Sequence, residues 1–201
     1  FQMIQVIKKG IKPPEHDIVL QFMDIQLALD MDLNDIPLSK GYLKANEDGI
    51  KMFANLPCFN TDKKKIGLYW QGNKRIFKNR SIKYDVIKCL TENKNYNFYS
   101  FQLGEKIEET DNFIDLTPHI KDYSDTAALL KNIDILVTID SSIAHMAGAL
   151  GVNTYLLLPK TAEWRWFYDE KTTPWYDSVT IFKQKESADW QEVLDRVEKA
   201  L

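Results

Sequence analysis

The chain has 201 residues, of which 44% are hydrophobic and 27% charged, so it can bury the core of one large or two small domains. Its formal net charge of −3 gives no indication that it binds nucleic acid or an anionic membrane. No apolar segment approaches the ~20 residues needed to cross a bilayer. The two cysteines, Cys58 and Cys89, lack a metal-binding spacing and are typical of thiols in a reducing compartment, which predicts a cytoplasmic protein. A first residue other than Met, Phe1, indicates a fragment or a processed chain.

The first 65 residues show weak and interrupted patterns. Residues 1–7 and 17–22 each predict a strand, with Pro13 and Pro14 between them, and residues 23–31 and 47–56 predict helices. The polar segment 57–65 is typical of a linker. We therefore predict a domain boundary there, which gives residues 1–60 and 61–201.

From residue 65 onwards, apolar strand patterns alternate with helical ones. The predicted strands are residues 65–70, 97–102, 112–116, 135–139, 155–158 and 179–182. The predicted helices include residues 82–90, a helix through Lys131 capped by Ser124 and Asp125, and a C-terminal helix capped by Ser187. This alternation predicts an α/β fold with a Rossmann-like, doubly wound parallel sheet.

Residues 133–159 form the most informative segment, because they predict a strand, a polar turn, a small-residue helix and a second strand. Asp140, Ser141 and Ser142 lie where the helix begins, and Gly151 lies where it ends. A helix N-terminus at the carboxyl edge of a parallel sheet predicts an anion site, because free N–H groups and the helix dipole point there. In the alternative interpretation, Ser141 or Ser142 only caps the helix and Asp140 is an ordinary turn residue.

Two further loops are predicted at the same edge of the sheet, where ligands of such sheets bind. Residues 71–80 contain Gly72 and several cations, and Arg80 at the start of the next helix is placed to contact a diphosphate bidentately. Residues 102–105 carry the polar side chains of Gln102 and Glu105. The three loops together suit a phosphate, a ribose and a second phosphate, although the basic loop is also typical of a solvated surface.

Several other kinds of site are disfavoured. There is no Walker motif and no GxGxxG, which argues against a nucleotide kinase or a dinucleotide dehydrogenase. No GxSxG setting or Ser/His/Asp triad is present. The histidines His16, His119 and His145 are too widely spaced to predict a metal site.

Two features leave their interpretation open. His145 lies about one turn into the predicted helix, where it could face a ligand or pack as an ordinary core histidine. The aromatic residues of segments 164–166 and 174–176 favour local packing of a loop, with a cleft wall for a sugar or base as the alternative.

The order of short motifs along residues 65–201 points to a family. That order resembles the C-terminal half of heptosyltransferase-like (family nine) GT-B glycosyltransferases, in the version often found behind tetratricopeptide repeats in bacterial proteins. Residues 1–56 are similar to the tail of that family's N-terminal domain. The motifs are Gly67-Leu-Tyr-Trp-Gln-Gly-Asn73, Asn79-Arg-Ser81, Asp125-Thr-Ala-Ala-Leu129, Asp140-Ser-Ser-Ile-Ala-His-Met-Ala-Gly-Ala-Leu-Gly151, Pro159, Trp164-Arg-Trp166, Pro174-Trp-Tyr176 and Asp189-Trp190.

The resemblance implies that residues 61–201 hold a nucleotide-diphospho-sugar donor with neither an obligatory metal nor another cofactor. It implies that Asp140, Ser141 and Ser142 lie at the diphosphate and sugar, with His145 behind them. The other implied contacts are Arg80 and the loop of Trp70, Gln71, Gly72 and Asn73 over the phosphates, and Gln102 and Glu105 near the ribose.

Inverting glycosyl transfer needs a base for the acceptor and stabilisation of the departing diphosphate. Arg80, Asp140 and His145 are the catalytic candidates, with Arg80 and the helix N-terminus stabilising the leaving group. The family's base and glycine-rich acceptor loop lie early in the N-terminal domain and have no counterpart here. Roughly the first hundred residues expected of such an enzyme are absent, taking domains of about 100–150 residues each.

The sequence therefore predicts a donor-binding half of a glycosyltransferase, with an acceptor saccharide or protein that it does not identify. One alternative is a non-catalytic nucleotide-sugar-binding or scaffold module. A second is a nucleotide-sugar epimerase, which would need acid and base carboxylates from two domains. An incomplete N-terminal domain would also expose an apolar face and so favour self-association.

Overall fold

The computed structural model describes residues 7–21, 24–36, 40–72, 78–167 and 171–201. By internal contacts the chain divides into two units, Phe1–Ile36 and Pro37–Leu201. This division lies before the polar segment 57–65, and the assignment of residues 1–60 to a preceding domain stays a prediction.

The first unit contains little regular structure. Helix α1 covers Ile25–Ala28, shorter than the predicted 23–31, and Asp30 follows it at a positive φ of 50° that ends a helix. The strand predicted for residues 17–22 is wrong for the described residues 17–21, which are exposed and belong to no strand. A strand is stable only when its ladder of hydrogen bonds has a partner. The strand predicted for residues 1–7 lies outside the described residues, apart from Ile7.

The second unit is a six-stranded, entirely parallel sheet in the order β3-β2-β1-β4-β5-β6. This confirms the doubly wound parallel sheet and all six strands predicted from residue 65 onwards. The strands are β1 Lys64–Tyr69, β2 Tyr96–Ser100, β3 Phe113–Asp115, β4 Ile135–Ile139, β5 Thr154–Leu158 and β6 Val179–Lys183. The helices are α2 Glu47–Ala54, α3 Tyr84–Ile87, α4 Tyr123–Leu130, α5 Ser142–Ala149 and α6 Trp190–Ala200.

Both faces of the sheet are covered. Side chains of α3 and α6, such as Ile87 and Val193, share a core with Ile66 and Val137 on one face. Helices α2, α4 and α5 pack together on the other face. All of Ile135–Ile139 is therefore buried, which explains why β4 is an unbroken apolar run in the sequence.

Two helix starts differ from the prediction. Helix α4 is capped by Asp122 rather than by Ser124 and Asp125, because the Asp122 carboxylate accepts from the backbone N–H groups of those two residues at 2.8 and 3.0 Å. Helix α6 is capped by Asp189 rather than by Ser187, through a 3.1 Å bond from the Glu192 N–H. The predicted helix 82–90 is α3 continued by a 3₁₀ segment, Lys88–Glu92.

Helix α5 lies very close to its neighbours because its residues are small. Ala144 and Ala147 are fully buried, and the backbone at Gly148 packs against the ring of Tyr176. At the end of α5 the Ala149 carbonyl accepts from the N–H groups of Tyr42 and Leu43, both at 2.8 Å. These bonds satisfy one of the carbonyls that a helix leaves without a partner at its C-terminus.

Candidate functional site

The predicted loops converge at the carboxyl edge of the sheet. The Gln102 side chain joins the loops that follow β1 and β2: its Oε1 accepts from the Trp70 and Gln71 N–H groups at 3.1 and 2.7 Å, and its Nε2 donates to the Gln71 carbonyl at 3.2 Å. Gln102 is only 3% exposed. Its amide therefore fixes residues 70–71 in place.

Arg80 connects the loop after β1 to the turn after β4. Its guanidinium Nη1 lies 3.8 Å from Asp140 Oδ2, and the two side chains are 18% and 7% exposed. Gly72 leaves room for this arrangement, because a Cβ there would come within 2.8 Å of Arg80 Nε. A guanidinium carries five N–H donors, so Arg80 can contact an anion while Asp140 keeps it aligned.

The N-terminus of α5 is open to a ligand. Ser141 is the N-cap residue by position, but its hydroxyl donates to the Ile139 carbonyl at 3.1 Å and makes no cap bond. Ser141 therefore occupies the predicted N-cap position without a side-chain cap bond, and Ser142 is exposed. The amide groups of Ser142 and Ile143 have no acceptor within the helix by their position in its first turn. Such amides and the helix dipole favour an anion at this end of α5.

His145 lies in an aromatic cluster one turn further along α5. Its ring stacks on Trp166 with centroids 4.9 Å apart, and its Nδ1 lies 3.1 Å from the Tyr176 hydroxyl. Burial lowers the pKa of His145, and the nearby charge of Asp140 opposes that effect. Trp166 and Tyr176 are themselves buried, so they pack against α5 instead of lining an open cleft. This is the environment of a packed histidine, and a catalytic role for His145 stays a prediction.

The lowered pKa of His145 predicts that this packing is pH-sensitive. Its folded-state pKa is below the ordinary value of 6.5, so the unfolded state binds the proton more readily. The free energy of unfolding should therefore be highest above pH 6.5 and fall as the pH decreases below that value. Urea unfolding over this range should show a weaker pH dependence for His145→Gln than for the parent chain. His16→Gln, at an exposed position, serves as the control, and an unchanged pH profile in His145→Gln would contradict the prediction.

An apolar pocket of about 350 Å³ lies beside the start of α5. Tyr69, Phe101 and Leu103 form part of its wall, and Ile120, Lys121, Asp122, Tyr123, Thr126, Ser142 and Ile143 complete it. Leu103 and Tyr123 are 57% and 66% exposed, so their apolar surfaces are accessible to a ligand. This pocket could not be predicted from the sequence, since nothing in the linear order shows that residues 120–126 lie next to Ser142.

The remaining predicted residues contribute less to the described geometry. Glu105 lies half-exposed in the loop between β2 and β3. Trp70 is fully buried, so its side chain belongs to the core, whereas Gln71 and Gly72 are partly exposed. Asn73 is outside the described residues. Within the described ranges no three His, Cys, Asp or Glu side chains are grouped to hold a metal ion, and no helix is both long and apolar enough to span a bilayer.

Comparison with solved structures identifies the architecture. The chain superimposes on ADP-heptose lipopolysaccharide heptosyltransferase II of E. coli with a TM-score of 0.58 and 13% sequence identity, over 79% of this chain and 54% of that one. It superimposes on the family 9 glycosyltransferase of Veillonella parvula with a TM-score of 0.56 and 14% identity, over 80% of this chain and 47% of that one. The fold is glycosyltransferase-like.

This likeness lies in the structure and is not detectable in the sequence by general comparison. No protein-family model matches the chain, and no curated protein matches it. The chain spans about half the length of the two glycosyltransferases that it resembles. At such low identity the comparison establishes the Rossmann-like GT-B fold, and it agrees with the family resemblance carried by the sequence motifs.

Proposed function

We propose that the chain binds a nucleotide-diphospho-sugar donor and serves glycosyl transfer without a divalent metal. The observation that carries this proposal is the contact of Arg80 with Asp140 just before α5, together with an apolar pocket that the first residues of α5, Ser142 and Ile143, also line. Such a combination suits a ligand with a planar apolar end and a diphosphate.

The nucleobase is proposed to lie in the apolar pocket, against Tyr69, Leu103 and Tyr123. The diphosphate would then lie at the amides of Ser142 and Ile143, within reach of Arg80. In this arrangement Gln102 acts by holding residues 70–71, and Asp140 by aligning the guanidinium.

During transfer, the bond between the anomeric carbon and the diphosphate oxygen would break while the acceptor oxygen forms the new bond. The negative charge that develops on the departing diphosphate would be stabilised by Arg80 and by the helix amides. The proton of the acceptor would pass to a base in an N-terminal domain, as the family resemblance implies. Arg80 and the helix dipole would supply the positive charge that a metal ion provides in other transferases.

Calorimetric titration with ADP, UDP and GDP, in the presence of EDTA, tests the proposal directly. We expect one of the three to bind and to raise the thermal stability of the chain, because a ligand that binds only the folded state stabilises it. Arg80→Ala should weaken that binding. Absence of binding by all three nucleoside diphosphates, with and without added Mg²⁺, would overturn the proposed donor site.

A non-catalytic nucleotide-sugar-binding or scaffold module is the alternative. It is favoured by the use of the Gln102 and Ser141 side chains in bonds to the backbone of the chain itself. Donor binding without hydrolysis or transfer, measured after adding an N-terminal domain of a family 9 enzyme, would support this alternative.

Three further elements belong to the proposal. A cytoplasmic location is supported by the two free thiols, Cys58 and Cys89. An association with tetratricopeptide repeats in a bacterial protein follows from the motif resemblance alone. Self-association is supported by exposed apolar side chains such as Ile18, Val19 and Leu27, and sedimentation analysis would test it.

A further inference from the structure

A second and larger cavity, of about 610 Å³, lies at the same edge of the sheet but on the side of α3 and α6. Its wall contains residues between positions 79 and 86, residues 159–161 after β5, and residues 187–191 at the start of α6. Most of the lining residues have polar side chains, although their apolar parts form the larger share of the cavity surface, and Trp190 is the aromatic residue among them. The proposed donor site uses none of the residues described below, and the inference does not depend on it.

The observation that points to a ligand is the side chain of Gln184, on the wall of this cavity. Gln184 is only 5% exposed, and its Oε1 accepts from the Lys160 N–H at 3.3 Å. Because the backbone N–H of Lys160 can only donate, the atom of the Gln184 amide that it contacts is the oxygen, and the other atom is the nitrogen. The Nε2 group is then left buried with no hydrogen-bond partner among the described residues. Buried amide N–H groups are nearly always bonded, so the Nε2 group of Gln184 marks a position in this wall where an acceptor is missing.

The charges around the cavity favour an anionic ligand. Lys83 and Lys160 both line it, and the first amides of the eleven-residue helix α6 lie there as well. Asp189 is the carboxylate of the lining, and its Oδ1 is already used to cap α6. Lys160 also pairs with Glu186 at 3.0 Å, in an exposed contact that a stronger anion can replace.

The remaining lining favours a sugar. The partly buried indole of Trp190 offers an apolar surface, and Asn79, Ser81, Thr161, Ser187 and Gln191 provide hydroxyl and amide groups around it. An aromatic ring can pack against the apolar face of a pyranose, and the neighbouring polar groups can form hydrogen bonds with its hydroxyls.

We propose that this cavity binds a saccharide carrying an anionic substituent, at a site separate from the nucleotide diphosphate. The sugar ring lies against Trp190, and the anionic group lies at Lys83, Lys160 and the start of α6. Gln184 lies on the same wall and carries the polar Nε2 group that has no acceptor among the described residues.

Nuclear magnetic resonance of the ¹⁵N-labelled chain tests this, with glucose 1-phosphate, glucuronate and glucose as the probes. We expect the indole N–H signal of Trp190, assigned with Trp190→Phe, to shift with one of the two anionic probes at lower concentration than with glucose. The two anionic arms distinguish a phosphate ligand from a carboxylate ligand. In the double variant Lys83→Gln/Lys160→Gln, the affinity for the anionic probe should fall about five- to thirtyfold, as expected for the loss of two partly solvated charge contacts.

Gln184→Glu provides an independent variant. It keeps the acceptor for the Lys160 N–H and replaces the donor with a negatively charged oxygen, so anion binding should decrease by at least about tenfold. The lysine variant at two exposed positions keeps the test valid if Gln184→Glu does not fold.

Three results would overturn the proposal. The first is no shift of the Trp190 signal at ~10 mM of either anionic probe, a concentration that detects even weak binding. The second is unchanged affinity in the lysine variant. The third is displacement of the bound probe by a nucleoside diphosphate, which would show that the probe occupies the anion site at α5.

Discussion

Replacing Ser142 with proline should weaken nucleoside diphosphate binding by about ten- to a hundredfold, the usual effect of losing one charge-assisted hydrogen bond. Proline is well tolerated at the first position of a helix, where its missing N–H has no partner within the helix. The preceding residue, Ser141, already has the extended backbone (φ −164°, ψ 169°) that a residue before proline prefers. The substitution therefore removes one amide donor from the proposed anion site and leaves the helix intact.

Ser142→Ala is the matched control for this prediction. It removes the exposed hydroxyl but keeps the backbone N–H, so the affinity measured by calorimetry should stay close to that of the parent chain. Circular dichroism should show that both variants fold. Equal affinities of Ser142→Pro and the parent chain would show that the diphosphate does not contact the start of α5.

Gly148→Ala should destabilise the fold even though alanine is the better helix former. A Cβ at this position would lie 2.4 to 2.8 Å from three carbons of the Tyr176 ring, which is 7% exposed and packed in the core. Overpacking of this kind costs about 1–3 kcal/mol, and the helix propensity of alanine recovers up to about 1 kcal/mol. We expect a net loss of up to about 2 kcal/mol, which would lower Tm by up to about 8 °C for a chain of this size.

Gly49→Ala in α2 provides the comparison, because Gly49 is also helical but its added Cβ would make one tight contact, with the Ala128 methyl group at 3.2 Å, and ordinary contacts with the Asn46 side chain at 3.7 and 3.9 Å. Its effect on Tm in a thermal melt should be much smaller, since the helix propensity gained offsets a mild contact. In a double-mutant cycle, Tyr176→Ala should remove most of the cost of Gly148→Ala. A Gly148→Ala variant as stable as the parent would mean that the helix and the aromatic ring separate easily.

The parallel sheet could be predicted from the sequence because its strands carry a strong local signal. β4 and β5 are apolar runs enclosed by turn residues, and such runs form only where both faces of a sheet are covered. The short helices were harder to delimit. Asp122 and Asp189 cap α4 and α6 ahead of the apolar pattern, where several neighbouring polar residues are equally plausible as caps.

The candidate site was predictable in its location and less so in its side-chain chemistry. Topology alone brings the loops after β1, β2 and β4 to one edge, and the Arg80–Asp140 and Gln102–Gln71 contacts bear out that convergence. The sequence could not show that the Ser141 hydroxyl turns back to the Ile139 carbonyl. Nor could it show that Tyr69 and Tyr123 share a pocket, because that depends on packing between residues distant in the chain.

The bonds from Tyr42 and Leu43 to Ala149 have a mechanical consequence. Helix α5 has eight residues and is therefore a stiff rod about 12 Å long, held at one end by residues 42–43 and open at the other to the proposed diphosphate. The backbones at Gly41 and Gly151 lie so close that a Cβ on Gly41 would be 3.0 Å from the Gly151 nitrogen. The two segments are therefore tightly packed against each other. A displacement of residues 41–43 would therefore disturb the C-terminal end of α5, the helix whose other end is proposed to hold the diphosphate.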